Sequence, residues 1–307
     1  MPPHNGHRYL IDFARSFCSD LTVFVCTLRS EPIPGELRFA WMQELFPSVA
    51  AVHITEEIPE AARSQSGAHE IWASSIRRHM SADPRYVFAS EEYGVGLAAA
   101  LGARFVPVDP RRTLFPVSAG MIRSDPLSHW EYLPGPVRPY FACRISVAES
   151  VGTTGATVHT GAAAELADRF DTVHVTDYRA YRAELAFKEP TISQADDLIA
   201  AQVAAQDALL TQANRVIFLE TDILRTLVET GDEEIATRLA AGDYDAVLER
   251  TRPDAVIALG PLSPAYRREI ERRGWALHEI PDDHPNPVDA AEEMARTLLS
   301  RHWKSAL

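Results

Sequence analysis

The sequence predicts an α/β protein: a doubly wound, mostly parallel sheet followed by a second α/β domain. Three features predict it. Short apolar runs rich in β-branched residues alternate with helical segments across short polar connections, the pattern of a parallel sheet wrapped by helices. The alternation stops in "WEYLPGPVRPYF", where Pro134, Pro136 and Pro139 stand among aromatics and suit a stiff connector better than a regular element. A fresh alternation then begins. The expected domains are residues 1–141 and 142–307, and an apolar fraction of 46% in 307 residues is enough for two cores.

In chain order, "RYLIDFARSF" reads as an amphipathic helix entered from the turn His4, Asn5, Gly6, His7, and "DLTVFVCTL" as a buried strand. A helix opened by Pro34 and Gly35 runs through "PGELRFAWMQELF", with a strand after it at "AAVHIT". "GAHEIWASSIRRHM" is helical, "RYVFAS" a strand, "GVGLAAALG" a helix closed by Gly102, and "ARFVPVD" a strand. Past the connector come the strand "FACRISVA", the helix "TGAAAELADRF", the strand "TVHVTD" and the long helix "SQADDLIAAQVAAQDALLTQA". "RVIFLETD", "PDAVIALG" and "WALHEIP" supply the remaining strands. No fixed-period repeat interrupts the pattern.

Charge and composition exclude several classes. Lys and Arg number 30 against 43 Asp and Glu, so at a net charge of -13 nucleic acid or an anionic membrane would be met by an adverse field. No apolar run approaches spanning length and no signal sequence opens the chain, so a cytoplasmic protein is expected. The three cysteines, Cys18, Cys26 and Cys143, are scattered and lack metal-ligand spacing, which predicts reduced, mostly buried thiols and no protein-held metal. Only Lys188 and Lys304 are lysines.

Two clusters carry chemistry. Gly6 allows close backbone approach, and the helix after His7 turns its N–H groups and positive dipole end toward any anion above the loop, where His4 and His7 can donate to phosphate oxygens. A solvated surface turn is the alternative. Downstream, "PVSAGMIRSDP" places Ser118 at a loop and Arg123 in the first turn of the next helix, a hydroxyl and a forked cation at a second helix entrance. A plain cap and an exposed charge is the alternative there. Glu91 and Glu92 read as an acidic helix start, while Asp109 either orders the connection into "PRRTLFP" or orients ligand.

His-x-Gly-His near the front and Ser-x-x-x-x-Arg at the far end of one α/β domain resemble the nucleotidylyltransferase superfamily. Within it, "PPHNGHRYLI", "PGELRFAW", "SEEYG" and "VPVDPRRTLFPVSAGMIRSDPLSHWEYLPGPVRPYF" are similar to the NadR type, nicotinamide-nucleotide adenylyltransferase fused to ribosylnicotinamide kinase. The resemblance implies a Rossmann-like sheet followed by a P-loop-kinase-like domain, with transfer of an adenylyl group from ATP to NMN, Mg²⁺ accompanying ATP, and NAD and pyrophosphate as products. It implies that His4, His7 and Arg123 act on the transferring centre, that Ser118 joins them on the ATP phosphates, that Arg38 grips the NMN phosphate and that Trp72 stacks on nicotinamide. Arg38 as a solvated helix residue and Trp72 as core packing are the alternatives. Another phosphorylated substrate, or a regulatory protein with both sites degraded, is the alternative function; the oligomeric state is open.

The chain departs from the family in four places. Relatives carry a strand and a Gly-Lys/Arg-Phe segment before the histidine loop, which here would lie ahead of Met1; an incomplete N-terminus is the expectation and evolved loss the alternative. Gly120 stands where threonine is common. A P-loop reads G-x-x-x-x-G-K-[ST]; aligned on "ESVGTTG", this chain offers Val147, Gly152 and then Thr153 in the lysine position. After "PDAVIALG" the chain passes almost directly into a helix, without the arginine-bearing lid of the kinases. An inactive kinase-like domain is therefore expected, with Asp177 and Asp222 at strand ends still able to bind a nucleoside.

Overall fold

The computed structural model describes residues 2–27, 29–56, 68–150, 161–179 and 192–302. It divides into two compact units, Met1–Val137 and Arg138–Leu307.

The first unit runs α1 (Asn5–Phe17), β1 (Thr22–Cys26), α2 (Gly35–Leu45), β2 (Ala50–Ile54), α3 (Ala68–Arg78), β3 (Tyr86–Ala89), α4 (Tyr93–Leu101), β4 (Arg104–Pro107) and α5 (Ala119–Ser124). All pairing is parallel, Thr22 lying opposite Ala50 in one pair and Tyr86 opposite Arg104 in the other. The described strands of this unit form two two-stranded sheets, β1-β2 and β3-β4. Among the described residues no strand joins them, so the halves meet through side chains. Phe24 and Cys26 of β1 and Val87 of β3 enter one cluster around Ile54, Ala73, Ile76 and Leu101. Helix α1 spans both halves: Ile11 packs with Val25, Met42 and Phe46, while the Phe17 ring lies 5.1 Å from Tyr86 and 5.4 Å from Phe88. Gly102 closes α4 at φ 67°, a left-handed conformation that glycine adopts without penalty.

The connector predicted as irregular is largely wound. Short 3₁₀ turns occupy Trp130–Tyr132 and Gly135–Val137, and α6 (Arg138–Phe141) follows. Pro136 and Pro139 each take the second position of their turn, where an amide would have no intrahelical acceptor, so the prolines start these turns rather than prevent them. Trp130, Leu133, Val137 and Phe141 are buried and anchor the segment.

The second unit runs β5 (Cys143–Glu149), α7 (Ala162–Arg169), β6 (His174–Val175), α8 (Ile192–Leu210), β7 (Val216–Leu219), α9 (Ile223–Glu229), α10 (Glu233–Ala241), α11 (Asp245–Thr251), β8 (Ala255–Leu259), α12 (Pro264–Arg273), β9 (Leu277–Ile280) and α13 (Pro287–His302). Its parallel sheet has the order β6-β7-β5-β8-β9. Side chains alternate between the faces with period two. Val256 and Ala258 join Leu224, Tyr266 and Ile270 on one face, and Ile257 and Leu259 join Leu166, Ala291 and Ala295 on the other. Helices thus cover both faces of this parallel sheet. Helices α9 to α11, which the strand-to-strand reading passed over, close the first face.

Among the three thiols only Cys143 is buried; Cys18 and Cys26 are half-buried, and all are free. This corrects the expectation of mostly buried thiols: Cys18 sits at the C-cap of α1, where its Sγ donates to the Ala14 carbonyl at 3.2 Å, and Cys26 ends a strand near the surface. No helix among the described residues is long and apolar enough to cross a membrane.

Candidate active site

The front histidines form a locked pair at the start of α1. His4 is the N-cap: its Nδ1 accepts the Gly6 N–H at 3.1 Å, and its own N–H donates to His7 Nδ1 at 3.3 Å. With both Nδ1 atoms accepting from backbone, the ring hydrogen of each imidazole resides on Nε2. The rings lie 3.9 Å apart. Burial, followed by the positive charges around it, Arg112 among them, lowers His4 to about 4. Burial first, then His4 and other nearby charge including Arg112, holds His7 well below its ordinary value. Both rings are thus neutral Nε2–H donors at neutral pH. Gly6 is needed here because a Cβ would stand 2.9 Å from the His4 ring.

The segment after β4 comes back to this pair. Phe115 packs on Tyr9 with ring centroids 5.6 Å apart, and its Cβ would lie 3.7 Å from a Cβ on residue 6. Beyond α5, the Glu131 carbonyl accepts from Asn5 Nδ2 at 3.0 Å. Both flanks of α5 therefore touch the start of α1. Asp109, open in the sequence between two roles, orders this segment: its carboxylate accepts from Thr113 N, Leu114 N and Phe115 N at 2.9, 3.1 and 3.4 Å. Desolvation pushes its pKa up, but these bonds together outweigh it and hold the carboxyl below the ordinary aspartate value. Asp109 and Arg112 themselves adopt positive φ, 45° and 51°, tightening the turn.

Arg112 is the residue the sequence reading missed. Its guanidinium donates to Glu91 at 2.7 Å, and its charge acts on both histidines. Together with Ser90, Glu92, Val95, Phe105 and Pro110 it lines a cleft of about 430 Å³ beyond the carboxyl ends of β3 and β4. Glu91, read as an acidic helix start, instead holds this arginine; Glu92 is the N-cap of α4 without a side-chain bond. The two adjacent arginines of "DPRRT", Arg111 and Arg112, gave no basis in sequence for singling out the second.

The other expected site residues fall as follows. Ser118 is the N-cap of α5, its Oγ accepting the Met121 N–H at 3.2 Å, which leaves its hydroxyl hydrogen to donate. Arg123, expected in the first turn, lies in the last, because α5 starts only after Ser118 and ends at Asp125, where Pro126 disfavours further helix. Arg38 is 1% exposed, overturning its reading as a solvated residue. It pairs with Glu31, while its Nε is buried without a partner among the described residues. Trp72 on α3 is half-buried and packs on the Ile54, Ala73 and Ile76 cluster. No contact among the described residues joins it to the histidines.

In the second unit, acids gather at the carboxyl edge of the sheet. Asp222, N-cap of α9, accepts from Arg225 N and Ser146 Oγ, each at 2.8 Å, and from the Tyr266 hydroxyl. Glu149 accepts the Ala162 N–H at the start of α7 at 2.9 Å. Asp177 pairs with Arg179 at 2.8 Å, and its N–H donates to Glu220 at 2.9 Å. Val147 is a buried core residue of β5; Gly152, Thr153, Lys188 and Lys304 lie outside the described residues.

Two parallel α/β units in tandem, the first with an imidazole pair at the start of its first helix, define the class: a two-unit α/β protein. Within it the chain is NadR-like. It is 27% identical over 247 residues to the trifunctional NAD biosynthesis/regulator protein NadR of Escherichia coli K12, and 26% identical over 246 residues to that of Salmonella typhimurium. Each match covers 73% of this chain, which spans 59% of the length of these curated relatives. The fold matches a NadR crystal structure in complex with NR at TM-score 0.75 and 18% identity, and one in complex with NAD and AMP-PNP at 0.76 and 19%. Each covers 97% of this chain and 93% of the other. No known protein-family model matches the chain.

Proposed function

We propose that the first unit is a nicotinamide-nucleotide adenylyltransferase that makes NAD and pyrophosphate from NMN and ATP. The observation that carries the reading is the neutral histidine pair, its Nδ1 atoms occupied by backbone N–H groups and its Nε2–H donors reserved for an anion at the positive end of α1. A phosphate oxygen of NMN attacks the α-phosphorus of ATP, and the bond to the bridging oxygen breaks as pyrophosphate departs, so positioning and charge neutralisation are the protein's main contributions.

In this reading His4 and His7 donate to the phosphoryl oxygens as charge builds, and Ser118 and Arg123 hold the β- and γ-phosphates. Arg112, steadied by Glu91, adds positive potential beside the imidazoles. Arg38 receives the NMN phosphate: a buried guanidinium with a carboxylate partner and an unpartnered Nε suits a second anion. Trp72 offers its exposed part to the nicotinamide ring. The Asp109 carboxylate is fully engaged and Glu91 is ion-paired, so the protein's oxygen donors at the cleft rim are Ser90 and Glu92, which suit Mg²⁺ arriving on ATP rather than held by a protein cage. Bound there, the ion would neutralise triphosphate charge.

Pyrophosphate release measured over a panel of mononucleotides with ATP tests the proposal. NMN is expected to be the best substrate, and His7→Ala or Arg123→Ala to cut transfer by about two powers of ten, the loss typical of a transition-state donor. If both variants keep the parental rate, the site assignment fails. A faster nicotinate mononucleotide would change the substrate, and silence across the panel would favour a nucleotide-binding regulatory protein.

For the second unit we infer loss of kinase activity. The acid placed to organise a metal, Asp222, is satisfied by Ser146, Tyr266 and Arg225; the entrance of α7 is answered by the chain's own Glu149; and only Gly260 to Ser263 separate β8 from α12.

A further inference from the structure

The amino-terminal edge of the second sheet carries a different chemistry from its acidic carboxyl edge. Cys143 is the first residue of β5, Asp254 directly precedes β8, and His302 ends α13. The Cys143 thiol, a carboxylate oxygen of Asp254 and a ring nitrogen of His302 all lie within 4.8 Å of one another. His302 Nδ1 is 3.6 Å from Asp254 Oδ1, close to the separation of roughly 3.5 Å between two ligands of a tetrahedral zinc ion.

We propose that Cys143, Asp254 and His302 form a binding site for a thiophilic divalent cation of the zinc class, with a fourth position left to water. One sulfur, one nitrogen and one oxygen donor disfavour Mg²⁺ or Ca²⁺, which take oxygen ligands, and match the donor set zinc accepts. The carboxylate is held in place from behind: Asp254 Oδ2 accepts the Arg144 N–H at 2.7 Å, and the Asp254 N–H donates to the Arg144 carbonyl at 2.8 Å. Such outer bonds orient a metal ligand. The thiol is buried, whereas the side chains of Asp254 and His302 keep 38% and 17% of their exposure, which opens a route for the ion. Only the thiolate is a ligand, so metal entry would displace the thiol proton. A thiolate and a carboxylate together balance the charge of a divalent ion; the Arg144 guanidinium also lies near, itself within the influence of Asp207 and Arg250. A bound ion would tie the last helix to the edge of the sheet.

Cobalt(II) titration of the chelator-treated full chain tests this. Expected are one equivalent bound with thiolate-to-cobalt charge-transfer absorption, displacement by Zn²⁺, and a higher melting temperature with Zn²⁺. His302→Ala, at a helix end, and Asp254→Asn should fold and weaken binding by at least about 10- to 100-fold. Cys143→Ser should abolish the charge-transfer band. The proposal is overturned if the parent shows no such band, if the band survives Cys143→Ser and so belongs to Cys18 or Cys26, or if His302→Ala and Asp254→Asn both bind cobalt as the parent does.

Discussion

At the scale of the residue, the histidine loop shows how local bonding sets chemistry. An exposed imidazole would be partly charged near pH 6.5 and free to choose its tautomer; His4 and His7 are denied both by burial and by the backbone N–H groups on Nδ1. A lowered histidine pKa means that the unfolded chain binds the extra proton first. The stability contributed is therefore intact above the unfolded value of 6.5 and lost as pH falls from there toward about 4. Chemical denaturation of the protein between pH 7 and 4.5 should show a declining midpoint, with a shallower decline in His4→Gln. An identical slope in the variant would mean that the ring is not held neutral. The His-x-Gly-His spacing was legible in sequence because it is local. The burial of Arg38 was not, since a one-residue view of a helix cannot tell a solvated arginine from one enclosed by Glu31 and the surrounding fold.

Among elements, the segment between β4 and α5 does most to assemble the site. Its shape depends on Asp109, whose carboxylate gathers three successive amides, with Phe115 packed on Tyr9 of α1 and the Arg112 charge acting on the histidine pair. Asp109→Ala should lower adenylyl transfer on the order of tenfold through misplaced Arg112 and should also lower the melting temperature, because it removes the acceptor of three backbone amides at a positive-φ residue. Unaltered kinetics would show that the turn holds its shape without this residue. Strand and helix identities along the chain followed from periodicity and breakers, including the stop at Gly102. The proline connector did not, because a proline in the first turn of a short helix and one in an extended linker look the same in sequence.

For the whole molecule, the contrast between the units is the functional point. The first carries the histidine pair and the cleft lined by Glu91 and Arg112; in the second, Asp222, Glu149 and Asp177 are bonded to the protein's own groups. Incubation with nicotinamide riboside and ATP should give no NMN, and robust turnover would overturn the inactive-kinase reading. Tyr266→Phe removes one of the donors to the buried Asp222 and should destabilise the second unit by about 1–3 kcal/mol, measured by calorimetry, without restoring kinase activity. No loss of stability would mean that the carboxylate does not depend on the phenol.

The sequence by itself determined the alternation of parallel α/β elements, because strands and helices are written in local spacing and turn chemistry. Only the tertiary structure decided that the described strands of the first unit pair two by two, that Arg112 and Glu91 enter the cleft, that Tyr266 closes over Asp222, and that Cys143, Asp254 and His302 meet. Those are contacts between distant stretches, fixed by how the strands line up and the helices pack, and no local pattern encodes them.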